Sequence, residues 1–131
     1  MSVIRTLSVG SIPGVQSDWF QATLTTTNNT PTVIWSFTTV SGSSYNIEAD
    51  IAGKDATASG LICQTAMYGS RNGGAGAVNT AVLHVVRKDD FGLGHNTVTV
   101  GTSSNDTRLL VKGAADTTLY WAATIRMTTC S

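Results

Sequence analysis

Apolar and polar residues alternate along most of this chain with a period of two, and no stretch carries the 3.6-residue period of a helix. The most regular run is "TTLYWAATIRMTT" at 117–129. Leu119, Trp121, Ala123, Ile125 and Met127 form one row there, and Tyr120, Thr124 and Arg126 fall in the other. Tyr45, Ile47, Ala49 and Ile51 oppose Asn46, Glu48 and Asp50 in the same way. Such alternation marks a strand with one face in a core and the other in water. Phe20, Ala22 and Leu24 alternate with Gln21, Thr23 and Thr25, and Val33, Trp35 and Phe37 alternate with Ile34, Ser36 and Thr38. The turn signals "NNTP" at 28–31 and "SGSS" at 41–44 separate these runs.

Further on the pattern loosens. "ASGLICQTAMYGS" is apolar but less regular and predicts a strand with a bend at Gly60, followed by a glycine-rich loop, "GSRNGGAGAVN", over 69–79. "TAVLHVVRK" predicts a strand apolar on both faces, with Ala81, Leu83 and Val85 on one and Val82, His84 and Val86 on the other. One of those faces is expected to meet another subunit. "DDFGLGHN" reads as a loop, "TVTVG" and "TRLLVKG" as short strands and "AADT" as a turn. The fold class expected is all-β: an antiparallel β-sandwich of seven or eight strands, jelly-roll or immunoglobulin-like. Trp35, Phe37, Tyr45, Ile47, Trp121 and Ile125 are its expected core. Residues 1–18, where Pro13 and Gly14 interrupt an apolar scatter that includes Ile12, read as an N-terminal arm, and residues 19–131 as the sandwich domain.

Composition narrows the function classes more than the fold. Charged residues make up 12% of the 131 residues, against about 25% in an average soluble domain. Eight basic residues balance eight acidic ones, so no electrostatic footprint for nucleic acid or an anionic membrane is expected. No window approaches the roughly 18 apolar residues of a membrane span. The opening segment does not read as a secretory signal, which predicts synthesis in the cytoplasm. The chain contains 21 Thr and 13 Ser. Their surface is polar without charge and leaves little self-repulsion to keep copies apart. Cys63 and Cys130, with no CxxC or Cys/His cluster around them, read first as free thiols and second as a late disulfide.

Candidate chemistry is sparse. His84 lies mid-strand, where a structural role outweighs catalysis, and no Ser or Cys stands in a nucleophile-elbow context. Asp89 and Asp90, followed by Gly92 and Gly94, fit no calcium loop with ligands at alternating positions. "GGAG" at 73–76 lacks the Lys-Ser/Thr and the helix that a phosphate cradle needs. Glu48 and Asp50 share a strand face about 7 Å apart, an ordinary placement for solvated acids. The sequence thus predicts no enzyme, no catalytic residue, no cofactor and no metal.

Two segments, "TRLLVKGAADTTLYWAATIRMTT" and "TVIWSFTTVSGSSYNIEADIAG", resemble structural proteins of tailed-bacteriophage virions. "TRLLVKGAADTTLYWAATIRMTT" is similar to a C-terminal strand pair of their small β-sandwich domains, through Val111, Gly113, Ala114, Thr118, Trp121 and Ala123. "TVIWSFTTVSGSSYNIEADIAG" resembles an upstream segment, through Ser36, Phe37, Thr38, Thr39, Ser44, Tyr45, Ile47, Glu48 and Ala49. The stretch between "VLHVVRK" and the C-terminal pair is shorter than in the family. The resemblance implies a virion component of tail-fibre or decoration type. Gly113 is then expected at a turn with positive φ, and Trp121 at the sandwich centre with Tyr45 packed beside it. The function expected is a non-enzymatic virion structural protein: a capsid decoration (cement) protein or small tail component acting by protein contact. A tail-fibre, receptor-binding or lectin-like module with Trp19, Tyr68 and Phe91 against a glycan is the alternative. The expected partners are other virion proteins, major capsid or tail, and further copies in a trimer or dimer; nucleic acid and membrane are not. Ile12, Trp19, His84, Phe91, Tyr120 and Arg126 are the interface candidates.

Overall fold

The computed structural model describes residues 2–9, 15–57, 60–74, 78–89 and 98–131, with side chains over 16–57, 60–74 and 98–131. Nine strands lie among the described residues: β1 (Ser2–Val9), β2 (Val15–Thr26), β3 (Thr32–Thr38), β4 (Ser44–Lys54), β5 (Leu61–Asn72), β6 (Val78–Asp89), β7 (Val98–Ser103), β8 (Asp106–Val111) and β9 (Leu119–Cys130). They form a six-stranded sheet in the order β1-β2-β9-β4-β5-β6 and a three-stranded sheet in the order β3-β8-β7. Every pairing is antiparallel. The all-β sandwich follows the alternation, divided six strands against three, and the nine strands among the described residues exceed the expected seven or eight.

The extra strand comes from the N-terminus. Ser2–Val9 pairs with β2, which itself begins at Val15, so the boundary placed at residue 18 falls inside a strand. The glycine-rich segment is also shorter than predicted: β5 runs to Asn72 and β6 starts at Val78. Gly60 precedes β5, whose burial alternates strictly along its length. Its inward row, however, includes Gln64, Ser70 and Asn72 among the apolar residues, and this is why the strand looked irregular in sequence.

The core lies between the sheets. Leu119, Trp121, Ala123, Ile125 and Met127 are all buried, and Ile47 and Ala49 are fully so. Phe20, Trp35, Phe37 and Tyr45 form a chain of rings with centroids 5.1, 5.0 and 4.9 Å apart. Phe37 is partly buried against this core. Ile34, expected to face outward, is as buried as Trp35 because a register shift between Val33 and Trp35 turns it inward.

Tyr45 packs against Phe37 and not beside Trp121. Tyr45 pairs with Thr129, whereas Trp121 pairs with Gly53. The two aromatics are therefore about 26 Å apart along the strands. The Trp121 indole instead donates to Thr26 Oγ1 at 2.9 Å. The same Thr26 explains Gly113: a Cβ there would lie 2.5 Å from Thr26 Oγ1 and 2.8 Å from the Asn28 carbonyl oxygen. Gly113 is required by close approach, and positive φ among the described glycines occurs at Gly42 and Gly74.

At one end of the sandwich a polar network ties loops to strands. Asn72 Nδ2 donates to Thr39 Oγ1 at 3.0 Å, and Asn72 Oδ1 accepts from the Gly74 amide at 2.8 Å. The Thr39 hydroxyl donates in turn to the Asn105 carbonyl at 2.7 Å. Ser70 and Thr107 share a buried hydroxyl pair at 2.7 Å, and the Val40 amide donates to Tyr45 Oη at 2.8 Å. These bonds satisfy groups that burial would otherwise leave costly.

Candidate functional site

Among the described residues, the outward face of the six-stranded sheet carries three of the four exposed large apolar side chains, Leu61, Met67 and Tyr120. Strand register arranges it in rows. One row runs Thr25, Tyr120, Lys54, Leu61; the next runs Thr23, Ala122, Ala52, Cys63; the third runs Gln21, Thr124, Asp50, Thr65. A fourth carries Trp19, Arg126, Glu48 and Met67. Ala52 and Ala122 are the small members, and they floor a shallow trough. Two open depressions, of about 470 and 530 Å³, meet over them and share Thr23, Ala52 and Ala122.

Large side chains bound this trough. Tyr120 is 42% and Leu61 47% exposed on one side, and Met67 is 37% exposed on the other. The Lys54 ammonium lies 5.9 Å from the centroid of the Tyr120 ring. The Arg126 guanidinium stands 5.7 Å from the Trp19 centroid and donates to Glu48 Oε2 at 2.6 Å. Each cation is thus held over an aromatic face. Asp50 accepts from Thr65 Oγ1 at 2.9 Å and has no cationic partner among the described residues.

The structure brings Trp19, Tyr120 and Arg126 onto this one face. The backbone of His84 lies in β6 opposite Met67, and its side chain is outside the described residues, as are Ile12 and Phe91. Tyr68 is not available to a glycan, because it is fully buried. Burial also holds its hydroxyl well above the ordinary tyrosine range. Lys54, Leu61, Met67 and the two alanines went unnoticed in sequence. The outward alternation of β4 and β9 points to some of them, but only register shows that they adjoin.

Glu48 is engaged by Arg126 and Asp50 by Thr65. Among the described residues no group of three or more His, Cys, Asp or Glu side chains is placed to hold a metal. Cys63 and Cys130 are both free and exposed. The arrangement offers flat apolar contact, hydroxyl groups and oriented charge.

No family model matches the chain, and no curated protein matches its sequence. Among solved structures it is similar to the tailspike protein of Acinetobacter baumannii phage AM24, at 12% identity and a TM-score of 0.49 over 86% of this chain. It is also similar to the tailspike gp49 of Acinetobacter baumannii bacteriophage Fri1, a capsular polysaccharide depolymerase, at 12% identity and a TM-score of 0.38 over 92% of this chain. The chain spans 26% and 19% of those two proteins.

Proposed function

We propose that this chain is a non-enzymatic structural module of a bacteriophage virion, a capsid decoration protein or small tail component, that works by protein contact through the outer face of its six-stranded sheet. The observation that carries this reading is the face itself: Tyr120, Leu61 and Met67 stand exposed around an alanine-floored trough. Exposed apolar side chains gathered on one face support reading it as an interaction surface. The resemblance of the Val111–Ala123 and Ser36–Ala49 segments to virion proteins supplies the context. A chain made in the host cytoplasm and carried in the particle needs no cofactor for such a role.

The test is uptake onto particles assembled without the protein. Tagged wild-type chain is expected to cosediment with capsids or tails, and Ala122→Arg, which fills the trough, is expected to stay in the supernatant while keeping its circular dichroism. Copy number per particle then separates decoration, with many copies, from a tail position with few. Wild-type chain that binds neither capsids nor tails would overturn the proposal. Binding to a glycan array without binding to particles would replace it with a carbohydrate-binding role.

A further inference from the structure

The trough has charges on either side of it that nothing within the described chain neutralises. Lys54 and Asp50 both stand exposed on β4, two residues to either side of Ala52. Lys54 rests over Tyr120 and has no carboxylate partner among the described residues; Asp50 has no cationic one. The neighbouring pair, Glu48 and Arg126, is closed within the chain.

Side-chain size follows the same division. On β9 and β5 the Lys54 row carries Tyr120 and Leu61, both large, and the Asp50 row carries Thr124 and Thr65, both small and half-buried; on β2 the order is reversed, with Thr25 in the first row and Gln21 in the second. The Ala122–Ala52 row lies midway. A two-fold axis lying between two facing sheets, along this middle row and across the strands, lays the Lys54 row of one copy on the Asp50 row of the other. Lys54 then faces Asp50 of the other copy, Tyr120 faces Thr124, and Leu61 faces Thr65, each contact occurring twice. Large side chains meet small ones, and opposite charges meet. A two-fold axis along the strands would instead set Glu48 against Arg126, which are already paired, and leave Lys54 and Asp50 unmatched.

We propose that this face docks a second copy of the chain across that row-aligned two-fold axis, with the Lys54–Asp50 pair fixing its register. The proposal rests on the reading of the face as a contact surface and names its partner. Four strands at about 4.8 Å spacing and about eight residues at about 3.3 Å rise cover roughly 500 Å² per copy. A pair therefore buries about 1,000 Å² in all, the lower bound for a specific interface. Self-complementarity is what an isologous contact requires, and a dimer of this size is expected to be weak and salt-sensitive.

Sedimentation equilibrium on the full chain tests it. The wild type is expected to dimerise reversibly. Lys54→Glu and Asp50→Lys, each folded by circular dichroism, set like charges against each other and should weaken association by at least about tenfold. Mixing those two variants should restore a dimer of one copy of each, and the double swap D50K/K54E should dimerise alone. The proposal is overturned if the wild type is monomeric, or if neither the mixture nor the double swap recovers what the single changes lose. A monomeric wild type whose Ala122→Arg form still fails to join particles would remove the second copy and keep the contact surface. A dimer with normal charge-swap behaviour, in a chain that joins no particle, would keep the dimer and remove the virion role.

Discussion

Replacing Gly113 with alanine tests whether that glycine is needed for space or for conformation. The added Cβ would lie 2.5 Å from Thr26 Oγ1 and 2.8 Å from the Asn28 carbonyl oxygen, so something must move. Thr26 cannot move freely, because it accepts the indole N–H of Trp121 at 2.9 Å, and Trp121 is 2% exposed. Overpacking of this kind costs about 1–3 kcal/mol, and stranding the indole donor adds about 1–3 kcal/mol if Thr26 gives way. Lost freedom in the unfolded chain returns about 0.4–1 kcal/mol. A net loss of about 2–4 kcal/mol is expected, or a fall in Tm of about 7–15 °C for 131 residues. Urea denaturation followed by tryptophan fluorescence measures it. Thr26→Ala removes the nearer obstacle, so Gly113→Ala should cost at least about 1 kcal/mol less in that background. A loss below about 0.5 kcal/mol in the wild-type background, or costs that simply add, would refute the close-approach account.

Three further changes probe the interior. Gln64 is 4% exposed, and its amide nitrogen and oxygen both lack a hydrogen-bond partner among the described residues; Gln64→Met should raise stability by about 1–2 kcal/mol in thermal denaturation. Tyr68 keeps its proton in the folded chain at pH values where the unfolded chain releases it, above about pH 10. Its contribution is whole below that pH and falls by up to about 1.4 kcal/mol per pH unit above it, so the wild type should lose more stability than Tyr68→Phe between about pH 10 and 12. Asn72→Ala removes the bonds to Thr39 and Gly74 and should cost roughly 1–3 kcal/mol, with faster amide exchange at Gly74 than at strand residues of β4.

The alternation in β4 and β9 was legible because each strand sits at the centre of the six-stranded sheet with one face against the three-stranded one, so side-chain period and burial coincide. It failed where the buried face is not apolar. Gln64, Ser70 and Asn72 point inward from β5, and Ser70 and Asn72 are matched by Thr107 and Thr39, which lie 37 and 33 residues away. No local window shows such partners. In β3 the period breaks at the register shift that buries Ile34. Gly113 announced itself as a special position, but its reason, contact with Thr26 and Asn28, belongs to a different strand end. The candidate face was half visible: Tyr120 and Arg126 follow from the period of β9, whereas Lys54, Ala52 and Thr65 join them only through cross-strand pairing.

That dependence on pairing gives the interior control over the surface. A slip of one residue between β4 and β9 would send Tyr45, Ile47 and Ile51 outward and scatter the rows that meet at Ala52 and Ala122. The register is fixed from inside. A Cβ at Gly53 would lie 3.2 Å from Ile62 Cδ1 and 3.3 Å from the Trp121 ring, so a larger residue of β4 at that step would have to push these side chains aside. At the other end the Glu48–Arg126 bond joins residues 78 apart in sequence on the outer side of the same two strands. An exposed ion pair adds little stability, but here it marks one alignment and occupies two of the four charges beside the trough among the described residues. Among the described residues Lys54 and Asp50 are left without an opposite charge, which is what the proposed second copy would supply.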